Sequence, residues 1–395
     1  IILMNKSNKM NIKFFFIIVI LIIILLMTVT LKFFTKNNDN NGYVEYFKNK
    51  INYYRCDEKK LGTITENIFN DFNIFKDNKD WDVYIPCGYN NVENELLKIE
   101  INNNNNNSKY IFGINGCDSI VSKNKIWESL VSCYGRKKAS SLMPESYVLN
   151  NKDDMDNFKK EFNSNNIYIL KKNVQRKEGL KLSSNLDYIL QAKNDQYRVV
   201  QKYLTNLYLI NKRKVNLRIY LLIVIKDNTI FFYMSNLGKC IYTNKDYNDN
   251  NFDFESNITS YNLDMTVYKT HPRNFDELFE FINNKSNNEE KSKVLSNNIY
   301  NLLKDICICL SNNIYQSDNI KNTTTFQLFG IDIIFDKNMK PYLLEFNKGP
   351  DMIPRDDIDQ KMKTNVQMDM FEIVGLLDKK NNKDNSFFSI YRKEL

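Results

Sequence analysis

Asp332, Glu345 and Asn347 lie in the stretch Phe326 to Asn347, FQLFGIDIIFDKNMKPYLLEFN, where two apolar runs flank Asp336-Lys337-Asn338-Met339. Runs rich in Ile, Phe and Leu joined by turn-forming polar residues read as a β-hairpin, with strands over roughly 326–335 and 340–347. Side chains alternate along a strand. A loop of two or four residues therefore puts Asp332 on the face of Leu343, Glu345 and Asn347, with Glu345 diagonal to it. Two carboxylates and an amide are hard oxygen ligands. They suit Mg²⁺, which takes one or two carboxylates and completes its shell with water and phosphate oxygens. The alternative is an ordinary hairpin with acids turned to solvent, but Glu345 sits inside PYLLEF and Asp332 inside FGIDIIF, where an unpaired charge is costly.

A second group of residues suits the phosphates that such an ion would accompany. Ile167 to Leu182, IYILKKNVQRKEGLKL, reads as strand, loop, strand, with Lys171 ending the first strand and Gly179 in the loop. A lysine beside a flexible loop is a common way of holding phosphates. Tyr197 to Leu204, YRVVQKYL, is a β-rich run on whose backbone a nucleotide could lay its adenine edge. Arg213 to Tyr220 starts another strand, and alternation aligns Lys214, Asn216 and Arg218 on one face. Taken singly, each of these is also what a solvated basic strand looks like.

The elements that must position these residues are less sharply written. Val294 to Ser311 has apolar residues at helical spacing, so a helix precedes the hairpin and Cys307 and Cys309 are expected as core thiols. WDVYIP (81–86) and YIFGI (110–114) have strand character, and 125–134 reads as a short amphipathic helix. Asn102 to Asn107 and the Asn/Lys/Glu/Ser-rich 283–298 read as solvated loops. Near the N-terminus, residues 14–31 form an eighteen-residue run without a charge, FFFIIVILIIILLMTVTL, between Lys13 and Lys32. That length nearly spans a bilayer core, and the run reads as a single-pass membrane anchor rather than a cleaved signal peptide. The resulting division is a tail over 1–13, the anchor over 14–31, a polar tether over 32–80, and a small α/β domain over 81–150. A central domain over 151–200, a C-terminal domain over 201–380 and a tail over 381–395 follow.

Composition excludes several classes of function. The chain has 395 residues, 43% hydrophobic and 26% charged, which suffices for two or three domains with real cores. Seven cysteines without a CxxC pair argue against a disulfide framework and a zinc ribbon, and favour a reducing compartment. The one histidine, His271, rules out a His-rich metal site. The net charge of +8 is spread along the chain and does not point to nucleic acid. Neither a GxGxxG loop nor an HRD triplet is present, which argues against a protein kinase.

In their order and spacing, YILKKNVQRKEGLKL, VVQKYL, RKVNLRIYLLIV, NITSYNL and FGIDIIFDKNMKPYLLEFN resemble the tubulin-tyrosine ligase and ligase-like family over roughly 81–378. The resemblance implies an α+β, ATP-grasp fold with a small N-terminal α/β domain. It also implies ATP with Mg²⁺, and a reaction in which ATP activates a carboxylate that an amine then attacks. By the same resemblance, Lys171 contacts the ATP phosphates, Gly179 and Leu180 belong to the flap above them, and Gln201 to Leu204 hold the adenine. Lys214 and Arg218 are the catalytic cations beside the phosphates, while Asp332, Glu345 and Asn347 hold the metal. The implied partners are ATP, an amino acid (tyrosine, glutamate or glycine) and an acidic protein tail such as that of tubulin.

Four departures from the family pattern stand out, and the last two fall in segments that, by the resemblance, touch the amino-acid substrate. Lys177-Glu178-Gly179 has one glycine where the family flap usually has two, and Asn216 stands where the family has an acid. Met234-Ser235-Asn236 corresponds to a usual Arg-Glu-Gly, and Ile258-Thr259-Ser260 to a usual Leu-Thr-Asn, so Thr259 and Ser260 are the expected substrate contacts. Nearby Lys239 is no equal replacement for a substrate-clamping arginine, which grips a carboxylate with two parallel bonds. The chain stops soon after the match, which favours a small or unusual acceptor. Two functions follow: a membrane-anchored ligase with its catalytic part in the cytoplasm, or a tethered nucleotide-binding scaffold without turnover.

Overall fold

The structure, a computed structural model, describes residues 50–100, 109–174, 179–259, 262–378 and 384–395. The apolar run 14–31, the asparagine tract 102–107, Lys177, Glu178 and Ser260 lie outside the described residues. Among the described residues, no helix is long and apolar enough to cross a membrane.

Fourteen strands are found among the described residues. They are β1 (Asn52–Tyr54), β2 (Phe75–Lys76), β3 (Val83–Tyr84), β4 (Tyr110–Phe112), β5 (Ser146–Val148), β6 (Tyr168–Lys171) and β7 (Leu180–Ser183). They continue with β8 (Val199–Lys202), β9 (Leu209–Ile210), β10 (Arg213–Lys226), β11 (Thr229–Tyr242), β12 (Thr324–Phe335), β13 (Pro341–Asn347) and β14 (Phe387–Glu394). Ten of them make a mixed sheet in the order β14-β11-β10-β12-β4-β3-β1-β2. Strand β9 pairs with β10, and β13 shares the outer edge of β12 with β4. The other four make an antiparallel sheet, β5-β8-β6-β7. The longest hairpin, β10–β11, turns at Asp227 and Asn228, whose positive φ values (49° and 57°) suit a two-residue connection matched to the strand twist.

The large sheet is apolar on both faces along most of β10. Its odd-numbered residues, from Val215 to Ile225, pack with Phe329 and Phe335 of β12 in a core that also holds Trp127, Leu278 and Leu303 from helices Lys123–Leu142, Phe275–Ser286 and Glu290–Leu310. On the other face Tyr220, Leu222 and Val224 are covered by helices Thr63–Asp71 and Asp357–Val374, through Ile68, Phe69, Met370 and Phe371. Truncating a fully buried ring here, Phe329 or Phe371, costs about 3–5 kcal/mol. The N-terminal part of β10 carries Lys214, Asn216 and Arg218 on this second face. These residues look instead toward the four-stranded sheet.

Several expectations need correction. The part of the tether within the described residues, 50–80, folds: β1 and β2 extend the large sheet, and the helix between them buries Ile64, Ile68 and Phe69. The expected small N-terminal domain has no sheet of its own, because β3 and β4 pair in parallel with β1 and β12. The central sheet runs from Ser146 to Lys202, wider than 151–200. The expected C-terminal tail contains β14, which closes the edge of β11. Residues 283–298 are helical except for a short break. Asn287 (φ 48°) ends one helix, and the Asn288 and Asn283 side chains accept from the N–H groups of Glu290 and Ser292 at the start of the next. The cysteine expectation also fails: Cys56 pairs with Cys87 and Cys133 with Cys309 in disulfides, leaving Cys117, Cys240 and Cys307 as buried thiols. Cys309 is thus not a free core thiol. Its partner lies 176 positions away on the facing helix, a separation that no local spacing rule detects.

Candidate active site

Alternation on two facing sheets builds a cleft of about 270 Å³. In β6, Tyr168 and Leu170 turn into a core with Phe158, so Ile169 and Lys171 face the opposite way, into the cleft. From the large sheet come Lys214, Asn216, Arg218, Asp332, Ile334, Leu344, Glu345 and Asn347. The polar end gathers Lys123, Lys171, Lys214 and Arg218 around two carboxylates, and Lys202 adds a fifth cation. That excess of positive charge in a cleft suits a polyanion.

The hairpin is present, but its register differs from the expectation. Glu345 is directly opposite Asp332 rather than diagonal, and Arg218 is directly opposite Asp332 on the other side. Because Lys239 pairs with Arg218, four adjacent strands carry the row Lys239, Arg218, Asp332, Glu345. A register shift beside Asp332 separates Leu343, which pairs with Ile333 and is fully buried in the core, from Leu344, which lines the cleft. Leu343 therefore does not share the face of Asp332.

Arg218 holds Asp332 with two parallel bonds, Nε to Oδ1 at 2.5 Å and Nη2 to Oδ2 at 3.0 Å. Gly330 makes room for it, because a Cβ there would lie 3.1 Å from Arg218 Cδ and from Pro350 Cβ. Asn347 donates to Glu345 Oε1 at 3.4 Å, and Lys123 Nζ stands 3.6 Å from Glu345 Oε2. Lys171 donates to the Leu344 carbonyl at 3.4 Å. Burial raises the Asp332 carboxyl against the pull of Arg218, whereas at Glu345 the Lys123, Lys171 and Arg218 charges outweigh burial and hold the carboxyl down. The donor set is all oxygen, with the amide of Asn347 beside one carboxylate and the second carboxylate opposite. It fits a hard divalent cation such as Mg²⁺.

Lys214 lies deeper. Its ammonium donates to Tyr203 Oη at 3.1 Å and to the Asn257 carbonyl at 3.0 Å, and among the described residues no carboxylate pairs with it. Burial, with some help from Lys171, pushes it down to about 7, and burial pushes Lys171 down to about 8. Asn216 donates to Thr259 Oγ1 at 2.8 Å, so the structure brings Asn216 and Thr259 together.

The apolar end is formed by Pro144, Ile169, Leu180, Ile258 and Ile334 with the Gln201–Leu204 segment. Gln201 is a strut, donating to the Pro144 carbonyl and Ser146 Oγ, while Tyr203 braces Lys214 and Asn257. The N–H groups of Lys202 and Tyr203 are already taken by the carbonyls of Glu145 and Ile167. Gly179 serves close approach: a Cβ there would lie 2.6 Å from Val174 Cγ2.

Sequence reasoning missed Lys123, which touches both Glu345 and the Val174 carbonyl. The only signal was a lysine in the first turn of a helix, where the helix dipole disfavours a cation. Conversely, Met234, Ser235 and Asn236 lie within β11 outside the cleft, where Ser386 bonds to Ser235 and Asn236. Lys239 is also committed, 3.1 Å from Asp359, which Lys363 binds at 2.9 Å. His271 is not at the cleft; its ring packs edge-on against Tyr242.

Comparison with known proteins bears on the family of the chain. The chain is 24% identical over 348 residues to the tubulin monoglutamylase TTLL4 of Mus musculus, covering 80% of this chain and 28% of that protein. It is 27% identical to a probable beta-tubulin polyglutamylase of Tetrahymena thermophila (61% of this chain, 21% of that one). It is 24% identical to tubulin glycylase 3B of Drosophila melanogaster (58% and 31%). The chain thus spans less than a third of the length of each of these relatives. A family model described as tubulin-tyrosine ligase family matches residues 101–383, and the chain belongs to that family.

Proposed function

We propose that the chain is an ATP-dependent carboxylate–amine ligase of the ATP-grasp type, joining an amino acid to a carboxylate of an acidic protein tail such as tubulin's. The observation that carries this reading is the Arg218–Asp332–Glu345 row facing Lys171 across the cleft. A base fits the apolar end near Leu204, and the phosphates extend past Lys214 toward Lys171, Lys123 and Arg218. Asp332, Glu345 and Asn347 would hold Mg²⁺, which neutralises charge on the phosphates. The acceptor carboxylate oxygen attacks the γ-phosphorus as the bond to the ADP oxygen breaks. The amine then attacks the acyl carbon; a C–N bond forms, phosphate leaves with the C–O bond electrons, and the amine gives up a proton. The side chains position the partners and stabilise the charge that shifts between them.

Tyrosine, glutamate and glycine are the donors to test, by ATP-dependent incorporation of labelled amino acid into tubulin and acidic peptides. Incorporation that survives Glu345→Gln at wild-type rate would sink the mechanism. The second reading, a nucleotide-binding scaffold, is favoured by the neutral Asn216 and by the absence of 234–236 from the cleft. It predicts Mg·ATP binding by calorimetry with no turnover on any amino acid. In either case the apolar run 14–31 acts as a membrane anchor, with the folded part in the cytoplasm because its ligand is ATP, an orientation under which the Cys56–Cys87 and Cys133–Cys309 pairs would have to form in a reducing compartment. Protease protection of the C-terminus in sealed vesicles would refute that orientation.

A further inference from the structure

The pairing of β13 with β12 stops at Asn347, so the ladder does not hold the chain beyond this residue. A corner of the chain at residues 114–123, which carries helix Cys117–Val121 and the start of helix Lys123–Leu142, holds it instead. Gln327, a fully buried side chain of β12, accepts from the Ile114 N–H at 3.1 Å and donates to the Lys348 carbonyl at 3.0 Å. Asp118 accepts from the Lys348 ammonium. From the same corner, Lys123 Nζ stands 3.6 Å from Glu345 Oε2. Two ion pairs thus bracket Glu345 and Asn347, Lys123 on one side and Asp118 with Lys348 on the other.

The Lys348 side chain is only 6% exposed, and a buried ammonium is costly unless a partner meets it. Asp118, itself about half exposed, is that partner. The surroundings suit a cation: Glu93, Cys117 and Asp118 each bring a ligand atom within 4.8 Å of the others, and the Asp118 N–H donates to Glu93 Oε1 at 2.6 Å. The chain supplies that cation itself through Lys348. Gln327 fixes the carbonyl of Lys348 and Asp118 fixes its side chain, so both ends of this residue are tied. Its Cα lies about 3.8 Å from that of Asn347, and a shift at one is passed to the other. Mg²⁺ demands near-ideal octahedral geometry, so a displaced amide ligand holds it less well.

We propose that Lys348 and Asp118 are positioning residues: their ion pair, outside the ligand set, places the Asn347 amide relative to Glu345 and thereby sets the affinity of the site for Mg²⁺. The proposal rests on the Mg·ATP part of the ligase reading above. The test is calorimetry of the full chain with a non-hydrolysable ATP analogue, with and without Mg²⁺, on wild type, Lys348→Met, Asp118→Asn, Lys348→Arg and Lys363→Met. The last breaks a comparably buried ion pair, with Asp359, that lies outside the cleft. The gain in analogue affinity that Mg²⁺ confers should fall about tenfold in Lys348→Met and Asp118→Asn, as for other residues that orient a metal ligand, with metal-free affinity unchanged. Lys348→Arg, which still reaches Asp118, should recover most of that gain, and Lys363→Met should keep it in full. Urea midpoints taken alongside separate positioning from stability, because Lys363→Met should be destabilised without losing its Mg²⁺ dependence. An unchanged gain in both Lys348→Met and Asp118→Asn, or an equal loss in Lys363→Met, overturns the proposal. If Lys348→Met does not fold, Asp118→Asn, changed at the more exposed partner, decides alone. A wild-type protein that binds the analogue no better with Mg²⁺ would strike the metal reading and this proposal with it, whereas a normal wild-type gain with unaffected variants removes this proposal only.

Discussion

Glu345 lies directly across from Asp332 because β13 carries one extra residue, Leu344, at that point. The hairpin closes between Phe335 and Pro341 with five residues in the loop, and regular pairing from there would set Leu344 against Asp332 and turn Glu345 to the other face. A bulge at this position restores Glu345 to the cleft and also presents the Leu344 carbonyl to Lys171. Bulges of this kind re-aim side chains beside functional sites.

Glu345→Gln preserves shape and hydrogen bonding but removes one charge from the metal set. ATP-dependent ligation should fall about 100-fold or more, with a raised Mg²⁺ requirement, because losing even a residue that only orients a metal ligand costs about 10–100-fold. A magnesium titration of steady-state turnover checks both effects.

Arg218→Lys keeps the charge and loses the paired geometry to Asp332, so it should not support activity at the wild-type level. Arg218→Met leaves Asp332 largely buried without its partner and should destabilise the fold by about 3 kcal/mol in urea titrations. Combining it with Asp332→Asn should recover part of that loss, and strictly additive effects would refute the coupling.

Lys214, pushed down to about 7, is mostly neutral at pH 8 in the free protein. Phosphates favour its ammonium form, so Mg·ATP binding at pH 8 should take up protons, and the uptake should shrink at pH 6 and in Lys214→Met. Binding enthalpies measured in buffers of different ionisation enthalpy read this directly. The unfolded chain keeps its proton up to about 10.5, so the penalty that Lys214 imposes on the free fold is full below about 7 and is relieved as pH rises toward 10.5.

Gly330→Val places methyl groups where Arg218 and Pro350 already approach to 3.1 Å of a Cβ. The expected result is a folded protein with Arg218 displaced from Asp332 and turnover reduced about 10- to 100-fold, comparable to misplacing a catalytic group by an ångström. Unchanged turnover would show that Arg218 does not need this alignment.

Much of the site was legible because it sits on strands. Alternation aligned Lys214, Asn216 and Arg218, and apolar runs about a polar turn identified the hairpin of Asp332, Glu345 and Asn347. What escaped were contacts made by residues distant in the chain. Lys123 reaches Glu345 from a helix start 222 positions away, and Cys133 bonds Cys309 across two helices. The stretch 283–298 looked like a loop because its asparagines are prominent, yet they cap two helices whose buried Ile282 and Leu295 anchor them.

By itself, the sequence determined which residue types were available and which strand face each would take relative to its own neighbours, because a period of two is a local property of the backbone. Which residues meet was settled by tertiary structure. The Leu344 bulge moves Glu345 across from Asp332, the facing sheet brings Lys171 onto the same cleft, and Gly330 leaves room for Arg218 to lie along Asp332. Register and sheet-to-sheet approach are set by packing summed over whole elements, and no local window of sequence contains that sum.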